Sequence, residues 1–183
     1  MDFEWFLIAE LASKRENWRR GVRMEQQRPH AVGGSFGLPW FALTVAFALH
    51  VFDEATTGFL AVYNPTVIAI RARWGWFPMP TFEFREWLVG LIFGVAVCFA
   101  LTPLAARGVR WMRPLAWFYA VVQLSNAMGH TIGTILGHTV ASVTFPRPAP
   151  GFYSSPFLFI GSVWLMVRLR KTAASAFRLP ASA

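Results

Sequence analysis

The run Leu38–Tyr63 is apolar over a length that few buried helices of small soluble domains reach, yet three ionisable side chains stand inside it. About 20 predominantly apolar residues carry a helix across the hydrocarbon core of a bilayer, so the run predicts a membrane span over 38–63. Its interior reads His50-Val51-Phe52-Asp53-Glu54. At that depth each ionisable group costs at least ~2.5 kcal/mol unless protein groups meet it. A helix turns about 100° per residue, which places His50, Asp53, Glu54 and Thr57 on one stripe. The stripe is therefore expected to face protein and not lipid.

The rest of the chain repeats the apolar pattern. With 55% hydrophobic and only 14% charged residues, a soluble domain of 183 residues would leave much of its apolar surface in water. The reading is all-α: a multi-pass membrane bundle of four transmembrane helices, over about 38–63, 86–106, 114–137 and 151–167. Residues 1–37 form a charged, amphipathic segment at the cytoplasmic interface, 38–170 the four-helix domain, and 171–183 a cytoplasmic tail. Asn64-Pro65 reads as the breaker that ends the first span. Residues 65–85 read as a short helix or loop on the outer interface, and the third loop runs through Pro146, Pro148 and Pro150.

The net charge of +8 would suggest nucleic acid in a soluble protein, but here the basic residues follow a membrane logic. Lys14, Arg15, Arg19, Arg20, Arg23 and Arg28 precede the first span; Arg107, Arg110 and Arg113 join the second to the third; Arg168, Arg170, Lys171 and Arg178 end the chain. The other loops hold Arg71, Arg73, Arg85 and Arg147. Lys and Arg mark the cytoplasmic side, so both termini are expected in the cytoplasm of a cell whose inner, plasma membrane the bundle crosses. The partners implied are the lipid bilayer and a lipid-soluble small molecule, with no nucleic acid. Cys98 is the only cysteine and reads as packing. Trp40, Trp87, Trp111 and Trp164 stand near span ends and read as interfacial anchors.

The third span carries a second polar stripe: Gln123, Asn126, His130 and Thr134, bordered by Gly133 and Gly137. The first and third spans both run from inside to outside. At 1.5 Å per residue, His50 and Asn126 each lie roughly 18 Å from the inner boundary, so the two stripes are level. Ser154 and Ser155 come near that level from outside, and His138 lies higher, where it would guard the mouth. Three readings fit. The first is one divalent metal ion, zinc or iron, held by His50, Glu54 and His130. Asp53, Asn126, Thr57 and His138 would support those ligands, and an open position would face Ser154, Ser155 and His138. The second is acid/base chemistry by Glu54 and Asp53 on a lipid-soluble molecule. The third is a buried polar network that fixes helix register in a non-catalytic protein, such as a small permease or an assembly partner. Haem between the histidines fits less well, because both carboxylates share their stripe. The residues leave open whether the protein is an enzyme.

The motif His50-Val51-Phe52-Asp53-Glu54, with Gly58-Phe59, Tyr63-Asn64-Pro65, Asn126 through His130, and Pro150-Gly151 followed by Tyr153, resembles the bacterial HXXEE integral membrane family. The resemblance covers about residues 38–167. It implies a multi-pass helical membrane protein and adds no reaction, since the family's function is itself uncharacterised. Asp53 stands where that family has its first glutamate and is one methylene shorter, which favours Glu54 as the ligand.

Overall fold

A computed structural model describes residues 35–177, with side chains to residue 172. The interfacial reading of the N-terminal segment falls outside the described residues, as does that of the last residues of the tail. Among the described residues five helices form: α1 (Gly37–Thr57), α2 (Leu60–Arg73), α3 (Phe84–Ala106), α4 (Met112–Leu136) and α5 (Ser155–Phe177). Between α4 and α5 runs an antiparallel pair of very short strands, β1 (His138–Val140) and β2 (Val143–Thr144). The domain is thus mostly α-helical, and the hairpin corrects the expectation of an all-α chain.

The run over 38–63 is not one helix. Gly58 adopts φ 76° and gives its N–H to the Glu54 carbonyl, which closes α1 there. That left-handed turn is open to glycine and costs other residues about 1–2 kcal/mol. The chain restarts as α2, which passes through Pro65. Asn64 is an anchor and not a breaker: its amide donates to the Phe82 carbonyl at 2.9 Å and accepts the Phe82 N–H at 3.1 Å. The Tyr63 hydroxyl donates to the Pro80 carbonyl at 3.0 Å, and Arg71 donates to the carbonyls of Phe77 and Met79. The segment after α2 is thereby tied back along that helix.

Helices α3 and α4 follow the expected second and third spans closely, while α5 starts four residues after 151 and runs ten residues past 167. Its late start reflects the Gly151–Ser154 turn. Its extension follows from Arg168, Arg170 and Lys171, which are good helix formers and mark a change of polarity without breaking a helix.

Helix α1 packs between α3 and α5, and α5 packs on α4. The close crossings are made by glycines. A Cβ on Gly37 would stand 2.6 Å from Ala106 Cα, and one on Gly161 would stand 3.2 Å from Leu43 Cα. Gly133 and Gly137, which border the polar stripe of α4, face Phe145 and Arg147. The core below the site joins Phe36, Trp40, Leu43, Met112, Leu158 and Leu165. Trp40 is 1% exposed and its indole N–H donates to the Cys98 carbonyl at 2.9 Å. Trp87 is also buried and lies against Phe59. Both are packing residues and not interfacial anchors, because their helix faces turn inward; Trp111 and Trp164 do lie outward.

Helices α1 and α3 are long and apolar enough to cross a membrane. The outward faces of all four long helices carry large apolar side chains, among them Phe52, Phe93, Phe118 and Ile160. The polar residues of α4 and the basic residues of α5 lower the mean hydropathy of those two. The α1–α3 crossing yields a first expected result. Gly37→Ala forces a methyl group against the backbone of Ala106, which should cost about 1–3 kcal/mol as an overpacked contact. Thermal unfolding in detergent, compared with the wild type, measures it.

Candidate metal centre

The site lies between α1, α4 and the turn that leads into α5. On α1, His50 and Glu54 stand one turn apart on the inward face, and both are buried, at 0% and 4% exposure. On α4, His130 is 7% exposed. Glu54 Oε1 lies 3.1 Å from His130 Nε2 and 3.4 Å from His50 Nε2. The two imidazole rings meet edge to face with centroids 4.7 Å apart. One ligand atom from each of the three residues falls within 4.8 Å of the others. Tetrahedral zinc, with bonds of about 2.0–2.1 Å, sets its ligand atoms roughly 3.3 Å apart. Two of the three separations are already of that size. The trio is geometrically compatible with one divalent metal ion, and two neutral imidazoles with a carboxylate are the donor types that zinc and iron accept.

The partners of His50 assign its proton. Asn126 Nδ2 donates to His50 Nε2 at 3.0 Å, so Nε2 carries the lone pair. The proton is then on Nδ1, which donates to Ser154 Oγ at 2.7 Å. Ser154 in turn donates twice to Asp53 Oδ2, from Oγ at 2.8 Å and from its backbone N–H at 2.8 Å. The chain Asp53–Ser154–His50 therefore sets Nε2 as an acceptor, 3.4 Å from Glu54 Oε1. Its single lone pair is held by Asn126, so an ion bound at Nε2 would displace that hydrogen bond.

The turn above the trio is pinned from all sides. Gly151 gives its N–H to Thr57 Oγ1 at 3.2 Å, and Thr57 Oγ1 donates to the Asp53 carbonyl at 2.6 Å. The Gly151 carbonyl accepts from Ser155 Oγ at 2.8 Å. Gly151 itself has φ 80° and lies so close to the trio that a Cβ would stand 2.7 Å from His130 Cε1 and 3.0 Å from Glu54 Cγ. Glycine is required here by both the turn and the contact.

The sequence reading and the structure meet and part at particular residues. His50, Glu54 and His130 come together, Asn126 touches His50, and Asp53 and Thr57 hold the adjoining turn. Asp53 points to Ser154 and not to His130, so the two carboxylates do different things. His138 does not guard the trio. It sits in β1 because α4 ends at Leu136, and its Nδ1 is buried without a hydrogen-bond partner among the described residues. Ser154 and Ser155 do not face an open ligand position either: both are engaged in the turn. Thr134 accepts the Ala149 N–H at 2.9 Å and so fixes the segment leading to Gly151. Gln123 is buried one turn below Asn126, with Oε1 unpartnered among the described residues. Reasoning from sequence missed Ser154 as the link between Asp53 and His50, and Gly151 as the roof. The Pro150-Gly151 pair was the available signal for the second. Comparison of the chain with protein-family models, with curated proteins and with solved structures gives no match.

Proposed function

We propose that this chain is a multi-pass helical membrane protein of the inner membrane, with four spans and both termini cytoplasmic, whose buried polar network fixes the packing of α1, α4 and α5. Within that network, the His50–Glu54–His130 trio takes up one divalent ion, zinc or iron. The observation that carries the reading is the convergence of three buried ligand atoms from two helices within 4.8 Å. The satisfied partners around the trio support a packing role more than turnover: both nitrogens of His50, the Asp53 carboxylate and both serines of the turn are engaged. An ion shared by α1 and α4 would join two helices that otherwise meet through few residues. The outward apolar faces of the four long helices, and the gathering of Arg107, Arg110, Arg113, Arg168 and Arg170 at one end of them, support the topology. Membership of the HXXEE family belongs to the same proposal and rests on the motif that supplies His50 and Glu54.

Metal analysis of protein purified in detergent tests the metal reading. About one equivalent of zinc or iron is expected in the wild type, and little in His130→Ala. Metal below stoichiometry in both proteins, unchanged after adding zinc or ferrous ion, would reject it. A second reading, proton transfer involving Glu54 and Asp53, has one observation in its favour: the unbroken hydrogen-bond chain from Asp53 through Ser154 to His50.

A further inference from the structure

A cleft of about 210 Å³ opens beside the trio, between α2, α4 and the hairpin. Phe59, Val62 and Phe145 give it apolar walls, and Ser125, Asn126 and His130 bring polar atoms to it. Among the described residues no Lys, Arg, Asp or Glu lines it, so an ionised ligand would find no counter-charge among them. A cavity of roughly 150 Å³ admits a benzene ring; this one holds a ring with a few substituents. Its floor on α4 is kept low by Ser125 and Gly129, and a Cβ on Gly129 would meet nothing within 4 Å. Both floor residues are exposed, so the cleft is reached from the flank of the helices.

The polar atoms choose the head group. Asn126 spends one N–H on His50, but its Oδ1 accepts no hydrogen bond among the described residues, and the Ser125 hydroxyl makes none either. The cleft is thus lined by a residue with a free acceptor and a residue with a free hydroxyl, which suit a group that donates once and accepts once. We propose that the cleft binds an uncharged, lipid-soluble aromatic ring bearing a hydroxyl group, of the phenol or hydroquinone class. The ring lies against Phe59 and Phe145 and the hydroxyl bridges Asn126 Oδ1 and Ser125 Oγ. The cleft borders the trio through His130 and Asn126, but the hydroxyl contacts need no bound ion.

The test uses the full chain in lipid nanodiscs, with empty nanodiscs as background, and equilibrium dialysis against 4-propylphenol and against propylbenzene. One phenol per protein is expected, held about tenfold or more tighter than the hydrocarbon, because a site built around a hydroxyl rejects the analogue without it. Gly129→Leu, which fills the cleft and favours the helix, should abolish that binding. Ser125→Val should bring the phenol down toward the hydrocarbon. Metal content should be unchanged in both variants, which separates this result from the fate of the metal reading. Equal binding of phenol and hydrocarbon, or wild-type binding by Gly129→Leu, would overturn the proposal.

Discussion

Replacing Gly151 with alanine is expected to cost about 3 kcal/mol of stability, from a left-handed φ that alanine dislikes by about 1–2 kcal/mol and an overpacked contact worth about 1–3 kcal/mol. The added methyl group has nowhere to go. It would stand 2.7 Å from His130 Cε1, 2.9 Å from His130 Nδ1 and 3.0 Å from Glu54 Cγ. Relief by moving the backbone is opposed by Thr57, which holds the Gly151 N–H, and by Ser155, which holds its carbonyl. The imidazole of His130 must therefore tilt away from Glu54, and the trio opens. Reversible unfolding in detergent should show the loss of stability, and metal content should fall in the folded fraction. A Gly151→Ala protein as stable as wild type would mean that the turn does not press on the trio.

Asp53→Ala should be as damaging by a different route. Asp53 Oδ2 accepts two buried hydrogen bonds from Ser154, and hydrogen bonds to a charged group are worth about 1.5–3 kcal/mol each. Removing the carboxylate leaves the Ser154 N–H unpaired and frees the hydroxyl proton, a net loss of about 3 kcal/mol. The freed hydroxyl can then turn to the Gly151 carbonyl, 3.2 Å away, and Ser154 no longer holds the Nδ1–H of His50 in place. Metal affinity is accordingly expected to drop by about 10–100-fold, the usual effect of losing a group that orients a ligand. Asp53→Asn keeps an oxygen that accepts both Ser154 donors and should recover most of the stability. Titration of each variant with zinc, alongside its unfolding curve, separates the two effects. Equal losses in the alanine and asparagine variants would show that the orientation of His50 depends on something other than this acceptor.

The trio was legible in the sequence because helical geometry translates spacing into direction. His50 and Glu54 at i and i+4 must share a face, and a second helix running the same way at the same depth brings Asn126 and His130 level with them. What was not legible depended on where helices stop. Gly58 lies within a run that stays apolar to Tyr63, so hydropathy alone carried the first helix past its end. Pro65 then looked like the breaker, although the chain had already turned. The hairpin over 138–144 has strands of three and two residues, too short to display a period of two. Its presence took His138 off the helix on which its position had been reckoned. Ser154 was seen only as a residue at the right height; that its hydroxyl joins Asp53 to His50 depends on α5 starting after the turn at Gly151. Trp40 shows the same limit from another side. A tryptophan near a helix end suits an interface, but its face on α1 turns toward Cys98 and Tyr119, and no spacing rule fixed that rotation.

The most direct measurement of the central claim is X-ray absorption at the metal K edge of zinc-loaded protein, wild type and His130→Ala. Zinc shared by His50, Glu54 and His130 should show two imidazoles at about 2.0–2.1 Å and a carboxylate oxygen at about 2.0–2.2 Å. In His130→Ala one imidazole should be lost, or zinc retention should fail. A shell of oxygen ligands alone in the wild type, or a two-imidazole shell unchanged by the substitution, would contradict the assignment.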